Sequence, residues 1–424
     1  MQLGGGEESC KDPGNPPATG HQVRGRAAPS PSHSSPPFPS TEPSSSAEHE
    51  DEQQQQATAS LPEDALVEIL SRVPYRSLRR FSCVSKPWLA LCSDPKIRRR
   101  CPQTLSGFFY SGLRDIKFHN LLAGGAPPML DPSMPFLRDS YMLVILVQCC
   151  NSLLLCQCMK WTPGGGSTID YVVCNPATEK WDVIPPIALP GREERPLAYV
   201  EMTIVYLGFD AAVPSRFVLF VPQSGHCDET TEVAIYSSQT GRWTSVQNEW
   251  GDQTILHPSR ECVFVNGTMH ITTLYSSVAT VDAEGKVWRN IKLPYVKSIH
   301  PFAAPDSTGH SQGRFYAWQI DNDGDCQLYV WVLEDYDRGK WTLKHTVDVL
   351  ELFGRHHRKD GESYNMFAIH PELNLIFLAD GKEMAVSYDM DDCKVNVICT
   401  SGEFARFGGL PYTPCFAEWP SDGH

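Results

Sequence analysis

Two hydrophobic rhythms run along this chain, and they change once, near residue 105. Before that point the apolar positions follow a helical period. Leu66, Ile69, Leu70 and Val73 stand at i, i+3, i+4 and i+7, a spacing that gathers them on one side of a helix. Ser60-x-x-Glu63 has the spacing of a capping box, Pro62 falls in the first turn, and Pro74 is expected to end the helix. A second short helix is expected to carry Leu78, Phe81 and Val84. A third is capped by Ser85, with Pro87 early in it and Trp88, Leu91 and Cys92 on its apolar side. Asp94-Pro95 then opens a last basic turn that runs through Arg100. A core this small is marginal, because domains below about 40 residues usually need a metal, disulfides or a partner. With no metal or disulfide in prospect, a partner protein is the natural supplement.

After residue 105 the pattern is that of strands, short apolar or alternating runs punctuated by Gly, Pro, Asn and Asp. Tyr171 to Cys174, Phe217 to Val221, Val233 to Tyr236, Cys262 to Val265, Met269 to Thr272, Leu328 to Leu333, Leu375 to Leu378 and Ala385 to Tyr388 are such runs. The longest apolar stretch, Tyr141 to Val147, breaks at Gln148, Asn151 and Ser152 before Leu153-Leu154-Leu155. A membrane helix needs roughly 20 mostly apolar residues, so this stretch reads as two buried strands and a turn. Gly164-Gly165-Gly166 reads as a hairpin turn, and Val347 to Phe353 is the only helical candidate here, a short one.

A loose repeat organises the strands. Cys174 to Trp181, Tyr236 to Trp243, Val281 to Trp288 and Leu333 to Trp341 each run from a strand through a turn to a tryptophan that starts the next strand. Tyr388 to Val395 is a degenerate fifth copy. Each is a hairpin whose Asn, Asp or Gly is expected to supply positive φ and whose Trp buries a flat face against the neighbouring unit. The tryptophans are 62, 45 and 53 residues apart, against roughly 40–50 residues per blade in β-propeller repeats. About five copies are visible and residues 106–170 have room for one or two more, so the blade count stays open.

Composition adds three points. Residues 1–59 are rich in Pro, Ser, Gly and Glu, include Gln53 to Gln56, and carry almost no large apolar side chains. Such a segment buries too little surface to offset its conformational entropy and is expected to be a disordered tail. The formal net charge is −14 with a pI of about 5.4, which does not suggest a nucleic-acid footprint. From Leu61 to Arg100, however, nine Lys/Arg face four Asp/Glu; this is either a solvated helix face or a docking surface for an acidic partner. The 15 cysteines are scattered, without any CxxC pair, which fits buried thiols in a reducing compartment. With no signal peptide at the start, a nuclear or cytoplasmic protein that avoids membranes is expected.

Residues 61–100 resemble the F-box, the adaptor motif of SCF-type ubiquitin ligases. The resemblance rests on Leu61-Pro62-Glu63-Asp64, Leu66 to Leu70, Arg72-Val73-Pro74 and Cys83-Val84-Ser85-Lys86-x-Trp88, in that order. The later region resembles the kelch-like F-box-associated domains of plant F-box proteins. Its points of contact are Cys149 to Leu155, the Asn175-Pro176-Ala177-Thr178-x-x-Trp181 turn, Tyr206 to Asp210 and Pro411-Tyr412-Thr413-Pro414. Ser152 stands where that family commonly has Gly, which puts a tight turn there in doubt.

The resemblance implies an α+β multidomain chain: a disordered tail (1–59), a three-helix F-box (60–104) and an all-β, propeller-like domain (105–424). It further implies a subunit that binds a Skp1-like adaptor and, through it, a cullin, while the β domain holds a target protein. The residues expected to bind Skp1, or to support that surface, are Leu61, Pro62, Leu66, Ile69, Leu70, Val73, Leu78, Val84 and Trp88. Trp181, Trp243, Trp288 and Trp341 are structural. The target and the residues that bind it are not named by the sequence; exposed aromatics and the basic run Arg355 to Lys359 are candidates.

Two other readings remain open, an F-box scaffold that binds Skp1 outside a ligase and a propeller enzyme. For the enzyme, no phosphate loop, nucleophile elbow or metal-ligand spacing is present, and no cofactor is expected. His356-His357 would point to opposite faces of a strand. Asp321 to Asp325 lacks the glutamate that completes a calcium loop and reads as an acidic hairpin turn.

Overall fold

The computed structural model describes residues 61–416 apart from short stretches, the longest being 95–103 (Ile97 excepted), 122–129, 188–203 and 295–306. All described residues belong to one compact unit, Leu61–His424. The expected tail, and the basic turn apart from Ile97, lie outside the described residues.

Three short helices open the fold: α1 (Glu63–Leu70), α2 (Tyr75–Phe81) and α3 (Lys86–Cys92). Their starts differ from one another for a chemical reason. At α3 the Ser85 hydroxyl accepts the Trp88 amide at 3.4 Å, as the sequence predicts. At α1 the N-cap is Pro62, which has no side-chain acceptor, and the Ser60 of the expected capping box lies outside the described residues. Glu63 and Asp64 then occupy the first turn, where negative charge suits the exposed N–H groups. This helix also ends at Leu70, earlier than Pro74, and the Ser71 amide bonds back to Val67 O. Val84 lies beyond the end of α2.

The strands form six small antiparallel sheets. One comprises β1 (Gly107–Ser111), β2 (Ile116–Asn120) and the last strand, β23 (Leu410–Tyr412). The next comprises β3 (Leu143–Cys150), β4 (Leu153–Thr162), β5 (Gly166–Asn175) and β6 (Lys180–Val183). The remaining four begin with β7 (Tyr206–Phe209), β11 (Cys262–Val265), β15 (Ser307–Ser311) and β19 (Asn365–Ile369), each followed by three strands in chain order. The leading strands touch in sequence, β3 on β7, β7 on β11, β11 on β15 and β15 on β19. Then β23 fits between β19 and β3, and the circle closes. The fold is therefore a six-bladed β-propeller.

Closure is made by pairing chain segments about 300 residues apart. Gly107, Phe108 and Phe109 pair with Tyr412, Pro411 and Leu410. Phe108 is fully buried and meets Phe367, Phe377 and Phe404 at ring distances of 5.3, 4.9 and 5.6 Å. Beside it, Phe109 meets Tyr412 edge-on at 5.0 Å. Offset and edge contacts of this kind add to the burial of apolar area.

Every tryptophan of the repeat stands at or next to the start of the outermost strand of its blade, paired with the preceding strand: Trp181 with Cys174, Trp243 with Tyr236, Trp288 with Val281 and Trp341 with Leu333. Two reach the preceding blade through the indole N–H, and Trp288 reaches it by packing on Trp250, just after that blade's last strand. Trp243 Nε1 donates to Pro185 O at 3.1 Å and Trp341 Nε1 to Lys292 O at 2.9 Å. Trp288 instead bonds Gly285 O in its own turn and packs on Trp250 at 4.6 Å, while Trp181 packs edge-on against Tyr141.

The turns before them correct one expectation. Positive φ falls on Glu179, Gly241, Gly285, Gly339 and Cys393, and not on the Asn or Asp that opens the turn. Those residues act as acceptors: Asn175 Oδ1 takes the Ala177 amide, Asp282 Oδ1 the Lys286 amide, Asp335 Oδ1 the Asp337 amide and Asp389 Oδ1 the Asp391 amide. Three of these are Asx turns, in which the short polar side chain replaces a backbone bond, while Asp282 reaches four residues on to the amide of Lys286. The turn at Ser152 is tight despite the missing glycine, because Asn151 takes the left-handed conformation (φ 56°) in its place. The triple glycine does turn a hairpin, with Gly164 and Gly165 at positive φ. The helical candidate narrows to Val349–Leu352, capped by Asp348 through Leu350 N.

Candidate functional site

The helical segment divides its predicted surface in two. Leu70 and Leu78 are 2% and 1% exposed and, with Cys92 and Ile97, form the segment's own core. Val67, Phe81, Trp88 and Leu91 pack against them, Phe81 and Trp88 edge-on at 5.8 Å. Leu61, Ile69 and Val84 are 53%, 49% and 67% exposed, Pro62 is exposed, and Leu66 and Val73 are half-buried. The four-residue stripe of α1 spans a wide arc, and the core takes its Val67–Leu70 side while Ile69 turns outward. Leu89 on α3, about half exposed, joins the outward set and was missed, because its neighbours Trp88 and Leu91 drew the apolar face elsewhere.

A C-terminal strap joins this segment to the ring. After β23, Thr413 N donates to Asn151 O at 3.0 Å and Asn175 Nδ2 donates to Cys415 O at 2.8 Å. Phe416 then packs against the helical core around Leu70, Leu78 and Ile97. Sequence reasoning used Pro411 to Pro414 for resemblance and passed over Phe416, whose role has no local signal.

Around the ring axis the leading strands are stitched by side chains from β3. Gln148 Oε1 accepts the Leu207 amide at 2.7 Å, and Asn151 Nδ2 donates to Phe209 O at 2.7 Å. The Cys149 thiol donates to Pro411 O at 3.2 Å and the Cys150 thiol to Phe209 O at 3.6 Å. Burial pushes the Cys150 thiol up to about 12 and Cys149 well above the ordinary thiol range. Cys149, Cys150, Cys156, Cys158 and Cys174 form no disulfides. Cys149 and Cys150, held neutral by burial, are poor nucleophiles and serve as packing.

The candidate loops resolve into structure. Arg355 of the basic run is nearly enclosed and holds Glu362 at 2.6 Å and Asp380 at 2.8 Å. Burial pushes both carboxyls up. For Glu362 the Lys359 amide, the Tyr364 hydroxyl and Arg355 outweigh it, and for Asp380 three backbone amides and Arg355 do, so both lie below the usual carboxylate range. Arg358 donates to Asn322 O and Glu362 O, whereas His356 and His357 are exposed. The Asp321 carboxylate caps its own turn through Gly324 N at 2.9 Å. Among the described residues no group of three or more His, Cys, Asp or Glu is placed to hold a metal.

Residues 59–100 match the F-box domain family, and residues 116–405 match the family described as F-box protein At3g26010-like, beta-propeller. The chain belongs to this F-box β-propeller family. Curated relatives come from Arabidopsis thaliana. F-box protein At5g07610 is 26% identical, covering 68% of this chain and 71% of its own length. F-box protein At5g49610 is 24% identical over 77% and 88%, and the putative F-box/kelch-repeat protein At1g15680 is 24% identical over 81% and 85%. The chain is thus an F-box protein carrying a β-propeller, of a kind with plant homologues.

Proposed function

We propose that this chain is the substrate-recognition subunit of an SCF-type ubiquitin ligase. Its F-box binds a Skp1-like adaptor, which brings a cullin, and its propeller holds the protein to be modified. The observation that carries this reading is the outward apolar set Leu61, Pro62, Ile69 and Val84 on a segment of F-box sequence, flanked by half-buried Leu66, Val73 and Trp88. Leu70 and Leu78 support that surface from beneath. The chain is a non-catalytic adaptor in this reading and works in the nucleus or cytoplasm; other subunits transfer ubiquitin, and proximity raises the local concentration of the target's lysines.

Replacing Leu61 and Pro62 together by Ala tests it. Both side chains are exposed, so the double variant keeps its fold and loses Skp1 on co-purification, since truncated interface anchors cost about 2 kcal/mol or more. Retention of Skp1 at the wild-type level rejects the assignment. Co-precipitation of a cullin with the wild type separates a ligase subunit from a Skp1-bound scaffold.

A further inference from the structure

The propeller axis contains a cavity of about 350 Å³, lined by β3, β11, β15, β19 and β23. That volume lies within the range of small-molecule pockets, roughly 300–1,000 Å³. Nearly every polar group around it is already engaged. Gln148, Asn151, Cys149 and Cys150 are committed to neighbouring strands by the bonds given above. His310 differs. It lies two residues after Thr308 on β15, so both side chains leave the same face of that strand. Its imidazole makes no hydrogen bond to any described residue.

The lining also selects by charge. No Lys, Arg, Asp or Glu contributes to it, and burial lowers the His310 pKa against the weaker opposing effect of Asp210, so the ring is neutral near pH 7. A charged guest would lose its hydration without meeting a counter-charge, which is costly. Trp318, Phe367 and Leu410 supply flat and aliphatic surface instead, with the Trp318 indole N–H already donated to Met366 O at 2.7 Å. Apolar walls with few polar groups to spare, here His310 and the Thr308 hydroxyl on the same strand face, are how small-molecule sites fix orientation.

We propose that the axial cavity binds an uncharged small molecule with a flat, largely apolar body and one polar atom that hydrogen-bonds His310. This site lies on the propeller alone and is independent of the proposed Skp1 contact.

Coumarin, a flat neutral molecule with a carbonyl acceptor, is the probe, with benzoate and benzylamine as charged counterparts of similar size. Binding to the purified full-length chain is measured by isothermal titration calorimetry. Saturable coumarin binding is expected, about tenfold weaker in His310→Leu, where one hydrogen bond is lost. Thr413→Phe, which fills the cavity from the residue after β23, is expected to abolish it, while Trp161→Ala on the exposed end of β4 leaves it unchanged. Circular dichroism and thermal melting establish that each variant is folded. Three results overturn the proposal: no saturable coumarin binding to the wild type, equal binding to a folded Thr413→Phe variant, or charged probes that bind as well as coumarin. If His310→Leu does not fold, Thr308→Val, on the same face, replaces it with a weaker but measurable loss expected; unchanged binding there also counts against the site.

Discussion

The F-box segment and the propeller solve the burial problem in opposite ways. The segment has four fully buried apolar side chains, Leu70, Leu78, Cys92 and Ile97, and leaves Leu61, Ile69, Val84 and Leu89 in water. Part of its cover comes from Phe416, a residue more than 300 positions away in sequence, alongside Val67, Phe81, Trp88 and Leu91. The propeller completes itself, because every leading strand has a neighbour on each side and its rings interlock across blade boundaries. One region leaves large apolar side chains uncovered, the other covers its own core.

The sharpest way to break this contrast is inside the propeller. Arg355→Met leaves Glu362 and Asp380 as two enclosed carboxylates without the guanidinium that bridges them, a change that costs about 3–5 kcal/mol. For a domain of this size that lowers the propeller's Tm by about 6 °C, and Skp1 capture should be unaffected. Calorimetry and co-purification on the same preparation test both halves. Next in size, Leu78→Ala removes a quarter of the fully buried F-box core, and such truncations cost about 2–5 kcal/mol. The segment should lose its helical hydrogen-exchange protection and its Skp1 binding while the propeller melts unchanged. A lowered propeller Tm would show that the two regions fold as one.

Acid sharpens the comparison less strongly. Glu362 and Asp380 have folded pKa values below their unfolded ones, so the stability they contribute is present above about pH 4 and disappears as pH falls through the folded values. The propeller Tm should therefore drop on acidification below pH 4, and Arg355→Met should flatten that dependence. The smallest effect is expected from Phe416→Ala. It loosens the strap without touching the ring, and should raise exchange at α2 and α3 by an amount that corresponds to about 1–2 kcal/mol, with propeller exchange unchanged.

Legibility followed sequence distance. The hairpins around Trp181, Trp243, Trp288 and Trp341 were readable because strand, turn and strand lie within about 20 residues and each carries its own punctuation. Even there, Asn175, Asp282, Asp335 and Asp389 were given the wrong task, since a side-chain acceptor and a positive-φ position leave the same residue types in a turn. The blade count was not readable. The sixth blade is assembled from residues 107–120 and 410–412, and no periodicity spans that gap. The outward and inward halves of the F-box set were mixed for a related reason: a helix of eight residues shows one apolar arc, and only packing shows which part of it faces inward. Phe416 and His310 are isolated residues in segments without a motif, and their positions depend wholly on how the ring closes.

The seam between β1 and β23 sets the order of assembly during synthesis. Five blades have all their strands once residue 399 has left the ribosome, yet the circle stays open until Leu410–Tyr412 follow. Through that interval the edge of β1 that β23 later covers exposes unpaired backbone, the kind of edge that recruits other chains. A message truncated between codons 400 and 409 would therefore yield five complete blades around an open ring, with the edge of β1 left uncovered.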